Sequence, residues 1–111
     1  LRLQALCDGI LDFLLLGLSE RARPEAQQSS ELKAALAIKF KAGFDALEAE
    51  ASRLGQKQFG LGEVAVAAVT GYADLRYGAE RWRDGRPKLA AFADRIADRP
   101  SIVATAHVDA Y

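Results

Sequence analysis

A chain of 111 residues is long enough for one buried core and too short for two. Its 15 basic and 15 acidic side chains cancel, and a net charge of zero argues against a nucleic-acid-binding module, where a basic excess drives contact with phosphates. With 50% apolar and 27% charged residues the composition is that of an ordinary globular domain. The longest apolar run, Ile10 to Leu18, is broken by Asp12 and Gly17 and is too short to span a bilayer, so no membrane partner is expected.

A single cysteine, Cys7, excludes an intramolecular disulfide and fits a reducing compartment, with a core thiol as its expected role. The lone histidine, His107, has no Cys or His near it in the chain, so no metal site is expected. The chain contains no methionine, and helical apolar spacing is already running at Leu3, Leu6 and Ile10 with no cap or leader ahead of it. The expectation is a truncated protein or an isolated domain.

The apolar periodicity predicts a first helix from near the start to about Arg21, ending before Arg23-Pro24. At about 100° per residue it has two faces. Leu3, Leu6, Cys7, Ile10, Phe13, Leu14 and Leu18 form one continuous apolar face. Ala5, Asp8, Asp12, Leu15, Leu16 and Ser19 form a second, mixing aliphatic groups with two carboxylates. Leucines on a second face imply that something outside the helical core covers it.

Pro24 to Ser30 reads as a connection, with Ser29 or Ser30 as the N-cap of a second helix. That helix carries Leu32, Leu36, Phe40, Gly43, Phe44, Leu47, Ala51 and Leu54 on one stripe, with Lys41, Asp45, Glu48 and Ser52 opposite, the pattern of a one-sided surface helix stopped at Gly55. A third helix is predicted from near Gly60 to about Tyr77, apolar on nearly every side and therefore expected to be surrounded by others. Asp84-Gly-Arg-Pro87 reads as a turn with Pro87 at the first position of a fourth helix, whose stripe is Leu89, Phe92, Ala93 and Ile96. Asp98-Arg-Pro-Ser101 opens a short fifth, Ile102 to about Thr105. The predicted fold is all-α, four to five helices around a buried central one. The charged stretch Arg81 to Arg86 reads as a solvated turn.

Several segments, in this order, resemble the C-terminal domain of bacterial glutathione transferases. They are Ala5-Leu-Cys-Asp-Gly-Ile-Leu-Asp12, Glu20-Arg-Ala-Arg-Pro-Glu25, Phe44-Asp-Ala-Leu-Glu48, Gly60-Leu-Gly-Glu-Val-Ala65, Gly71-Tyr-Ala-Asp-Leu-Arg76, Trp82-Arg-Asp-Gly-Arg-Pro-Lys-Leu89 and Arg99-Pro-Ser-Ile-Val-Ala-Thr105. The resemblance covers nearly the whole chain, and order and spacing together carry it.

The resemblance implies that residues 1–111 are the helical, substrate-binding and dimerisation domain of a cytoplasmic homodimer that attaches the glutathione thiolate to hydrophobic electrophiles in detoxification. It implies a thioredoxin-like N-terminal domain, absent from this chain, that supplies most glutathione contacts, so no catalytic residue is expected here. Glutathione would be the co-substrate and no cofactor would be tightly held. The second face of the first helix would then border the active-site cleft and the subunit interface. An acidic residue matching Asp12 resembles one that, in some members, reaches the α-amino group of glutathione bound by the neighbouring subunit. Asp8 shares that face, and pairing with arginines is the alternative for both. Leu15, Leu16 and Ser19 would line the electrophile pocket or pack against the absent domain or the other subunit.

In the family the central helix opens with a Ser or Thr N-cap and an Asp three residues later; here Gly60 and Glu63 stand there, which leaves only half of the reciprocal capping box. Glycine at an N-cap costs only a few tenths of a kcal/mol, so the helix is expected to persist. Tyr72, Arg76 and Trp82 are expected to be structural anchors around that helix. A non-catalytic protein–protein interaction module of the same fold is the alternative function, since fold alone does not separate the two.

Overall fold

The computed structural model describes residues 2–53 and 61–97. Among them are four α-helices and no strand: α1 Arg2–Ala22, α2 Ser30–Glu50, α3 Leu61–Arg76 and α4 Pro87–Ile96. The all-helical prediction holds, including the helical assignment of the valine-rich third segment. The expected short fifth helix, the Gly55 stop, Gly60 and His107 lie outside the described residues.

The connection from α1 to α2 is built by side chains that replace missing helical hydrogen bonds. Pro24 follows α1 and leads into a single 3-10 turn, Glu25–Gln27. Gln28 Nε2 donates to the carbonyls of Arg21 and Arg23 at 3.3 and 2.9 Å, satisfying acceptors at the end of α1. Ser29 is the N-cap of α2, its Oγ accepting the Leu32 backbone N–H at 3.0 Å. The buried Glu20 carboxylate accepts the Ser29 backbone N–H and, at 3.1 Å, the Arg23 guanidinium. One carboxylate therefore fixes both ends of the turn.

With so short a connection α1 and α2 pack together as a helical hairpin. They are tightly packed at Gly43, where a Cβ would lie 3.0 Å from Ile10 Cγ1 and 3.2 Å from Phe13 Cζ. Helix α3 lies along α1, and α4 packs against α2 and α3. The core holds Cys7, Ile10 and Leu14 of α1, Phe40, Phe44 and Leu47 of α2, Val66, Val69 and Ala73 of α3, and Leu89, Phe92 and Ile96 of α4. A line of rings runs through it: Phe40 stacks on Phe44 at 4.5 Å and on Tyr77 at 5.7 Å, and Phe44 meets Trp82 at 5.8 Å. Such contacts add about 0.5–1.5 kcal/mol per pair beyond the area they bury.

Helix α3 supplies the central core residues Val66, Val69 and Ala73, with Val64 43% exposed. Two expectations need correction. Helix α2 is not simply a surface helix with a solvated polar side. Its Glu48 carboxylate accepts the backbone N–H groups of Lys88 and Leu89 at 3.1 and 2.8 Å and so caps α4 from a distance in sequence. Nor is the stretch Arg81 to Arg86 wholly solvated. Arg86 is 9% exposed, donating through Nε to Asp45 at 3.0 Å, through Nη1 to the Trp82 carbonyl at 3.0 Å and through Nη2 to the Lys41 carbonyl at 3.4 Å. The planar guanidinium, with five donors, satisfies three acceptors from two segments at once.

Candidate functional site

Helix α1 places Ala5, Asp8, Asp12, Leu15, Leu16 and Ser19 together on one exposed side. Leu15 and Leu16 remain 51% and 49% exposed, in a helix whose opposite side is closed. Neither Asp8 nor Asp12 has a hydrogen bond or ion pair among the described residues. Carboxylates four residues apart on a helix repel by about 0.2–0.5 kcal/mol, so a cation arriving between them would be welcome. The face thus combines an apolar strip at its C-terminal end with two negative charges nearer its N-terminus that have no partner among the described residues.

One residue from Asp8 the environment reverses. Cys7 is fully buried, and burial first, with the Asp8 charge second, pushes its thiol up to about 11. At neutral pH it is a neutral, enclosed thiol. No group of three or more His, Cys, Asp or Glu side chains among the described residues is placed to hold a metal ion. No helix among them is long and apolar enough to cross a membrane.

The remaining sequence-selected residues lie away from this face. Glu63 is in the first turn of α3, where a negative charge suits the positive end of the helix, and is half-buried; Gly60, the expected other half of the capping box, lies outside the described residues. Tyr72 and Arg76 are half-buried on α3. Trp82 is 2% exposed, its indole N–H donating to Asp74 Oδ1 at 2.8 Å, and Arg83 both lies over the Trp82 ring at 4.4 Å and donates to the same carboxylate.

Sequence reasoning missed Tyr77. Its ring is buried against Phe40 and its hydroxyl donates to the Leu14 carbonyl, 63 positions back in the chain. A Cβ at position 17 would lie 2.7 Å from that hydroxyl oxygen, so Gly17 is what lets the bond form. The available signal was Gly17 itself, a glycine inside a run of leucines, which marks a close approach.

The sequence profile of the family "Glutathione S-transferase, C-terminal domain" matches residues 30–95. The uncharacterized GST-like protein YibF of Escherichia coli (strain K12) is 32% identical over 106 residues, covering 94% of this chain and 52% of that protein. A glutathione transferase family member from Pseudomonas fluorescens Pf-5, solved with bound glutathione, superposes with a TM-score of 0.91 at 33% identity, over 97% of this chain and 53% of that one. A glutathione S-transferase from Methylobacillus flagellatus KT with glutathione bound gives 0.88 at 29% identity, over 96% and 55%. The chain therefore spans about half the length of the relatives it matches.

Proposed function

We propose, since this chain belongs to the C-terminal domain family of the glutathione S-transferases, that it is the electrophile-binding and dimerising half of a cytoplasmic glutathione transferase. The other half, on this reading, is a thioredoxin-like N-terminal domain that binds glutathione and lowers the pKa of its thiol. The observation that carries the proposal is the open face of α1, where exposed leucines sit on one helix side with carboxylates that lack partners among the described residues. Solved relatives with glutathione bound support the choice of co-substrate.

Each group on the face then has a task. Leu15 and Leu16, with Ser19 beyond them, offer the apolar wall against which a hydrophobic electrophile is held beside the sulfur; proximity and a preformed thiolate are the sources of rate. Asp12, with Asp8 one turn away, accepts from the α-amino group of a glutathione held by the second subunit of a homodimer. The thiolate attacks the electrophilic carbon: as the sulfur–carbon bond forms, the bond to the leaving group breaks and that group departs with its electron pair, or, in an addition, the displaced π pair takes up a proton from water.

Calorimetric titration of glutathione into the full-length parent and into the 111-residue chain tests the proposal. Micromolar-to-millimolar binding by the parent, lost in the chain alone and weakened by Asp12→Ala in the parent, is expected. A parent that binds no glutathione would leave the same face as the docking surface of a protein–protein interaction module. Glutathione binding unchanged by Asp12→Ala would remove that residue from the site while keeping the transferase reading.

A further inference from the structure

A cleft of about 150 Å³ opens between the second half of α1, the first half of α2 and Tyr77. Phe13, Leu36 and Phe40 form its walls with the Tyr77 ring. The Tyr77 hydroxyl donates its hydrogen to the Leu14 carbonyl, so it has only acceptor lone pairs left for the cleft. Arg21, Lys33 and Glu80 line the same cleft, two cations against one carboxylate.

The cations are held in place. Arg21 lies over the Tyr77 ring at 4.3 Å and donates through Nη2 to the Arg76 carbonyl at 2.6 Å, a bond that uses one of the five guanidinium donors. Lys33 donates to Gln28 Oε1 at 2.9 Å, one of its three. Both can accept an anion without breaking these bonds. An apolar volume of ~150 Å³ suits a single six-membered ring, and aromatic walls favour an aromatic one through offset and edge contacts. An excess of one positive charge favours a monoanion over a dianion or a cation.

We propose that this cleft binds a small aromatic monocarboxylate, with its ring among Phe13, Phe40 and Tyr77 and its carboxylate between Arg21 and Lys33. The site uses none of the α1 face assigned to glutathione chemistry and stands or falls independently of that assignment.

The test is a titration of the isotope-labelled chain with phenylacetate, followed by amide NMR, beside the neutral isostere phenylacetamide. Phenylacetate is expected to shift the amides of Gly17, Lys33 and Ala37 at millimolar concentration and to bind about tenfold more tightly than the amide. Lys33→Gln, at an exposed position, is expected to weaken the acid several-fold and leave the amide unchanged. Equal affinity for acid and amide, shifts centred on another surface, or no saturable shift with either compound would each overturn the proposal. The acid–amide comparison needs no variant, so the result does not depend on any substitution being tolerated.

Discussion

The two faces of α1 both carry leucines, and those leucines end in opposite states. On one, Cys7, Ile10 and Leu14 are closed off by α2 and α3, and Gly17 leaves the room that the Tyr77 hydroxyl fills. On the other, Leu15 and Leu16 are half exposed and two carboxylates lack partners among the described residues. Covering the exposed halves of those leucines would contribute about 1 kcal/mol each. The first face is closed by other described residues; the second is left open by them.

The largest expected contrast is chemical reactivity at the boundary of the two faces. With its pKa near 11, Cys7 holds roughly two orders of magnitude less thiolate at pH 8 than a free cysteine, before burial is counted. Alkylation by iodoacetamide, followed by mass spectrometry, is expected to be negligible in the native chain and rapid in denaturant. Ready labelling of the native chain would mean that the inner face opens. In stability, Leu14→Ala is expected to cost about 2–5 kcal/mol by denaturant unfolding, as a fully enclosed leucine leaves a cavity.

Next in size is Arg86→Ala, expected at about 2 kcal/mol, because it strips charge-assisted bonds from Asp45 and from the Trp82 and Lys41 carbonyls. Asp45 is partly solvated, so the ion pair itself supplies the smaller share. Two carboxylates add an acid limit. The Ser29 backbone N–H, with Arg23, holds Glu20 below the ordinary carboxylate range, and Lys41, with Arg86, does so for Asp45. A pKa lowered by folding stabilises fully above the unfolded value and is lost as pH falls through the folded one. Stability is therefore expected to be level near neutrality and to fall below about pH 4, with Glu20→Gln flattening part of that fall.

These effects also mark what the sequence made legible. Period and punctuation located all four described helices, narrowed the α2 cap to Ser29 or Ser30, and put Pro87 at the start of α4, because each is a local device read within a few residues. The two-faced pattern of α1 was equally local, so the candidate site could be named before its geometry was known. What escaped were links across 40 residues or more: Glu48 capping α4, Arg86 reaching Asp45, and Tyr77 reaching Leu14. In sequence, Arg86 sits between Gly85 and Pro87 and looks like any turn cation. Only packing decides that it is enclosed.

The smallest expected effect tests the comparison most directly. Leu15→Ser with Leu16→Ser is expected to change the stability of this chain by no more than about 0.5 kcal/mol, as substitutions on an open surface do. A loss above that, read from the urea midpoint at unchanged slope, would mean that the chain itself covers this face and that no outside partner is needed to explain the leucines. In a longer parent the same pair is expected to cost more, because there the face would be buried against what it was built to meet. The difference between the two losses, not either one alone, measures how much of α1 belongs to the rest of the protein.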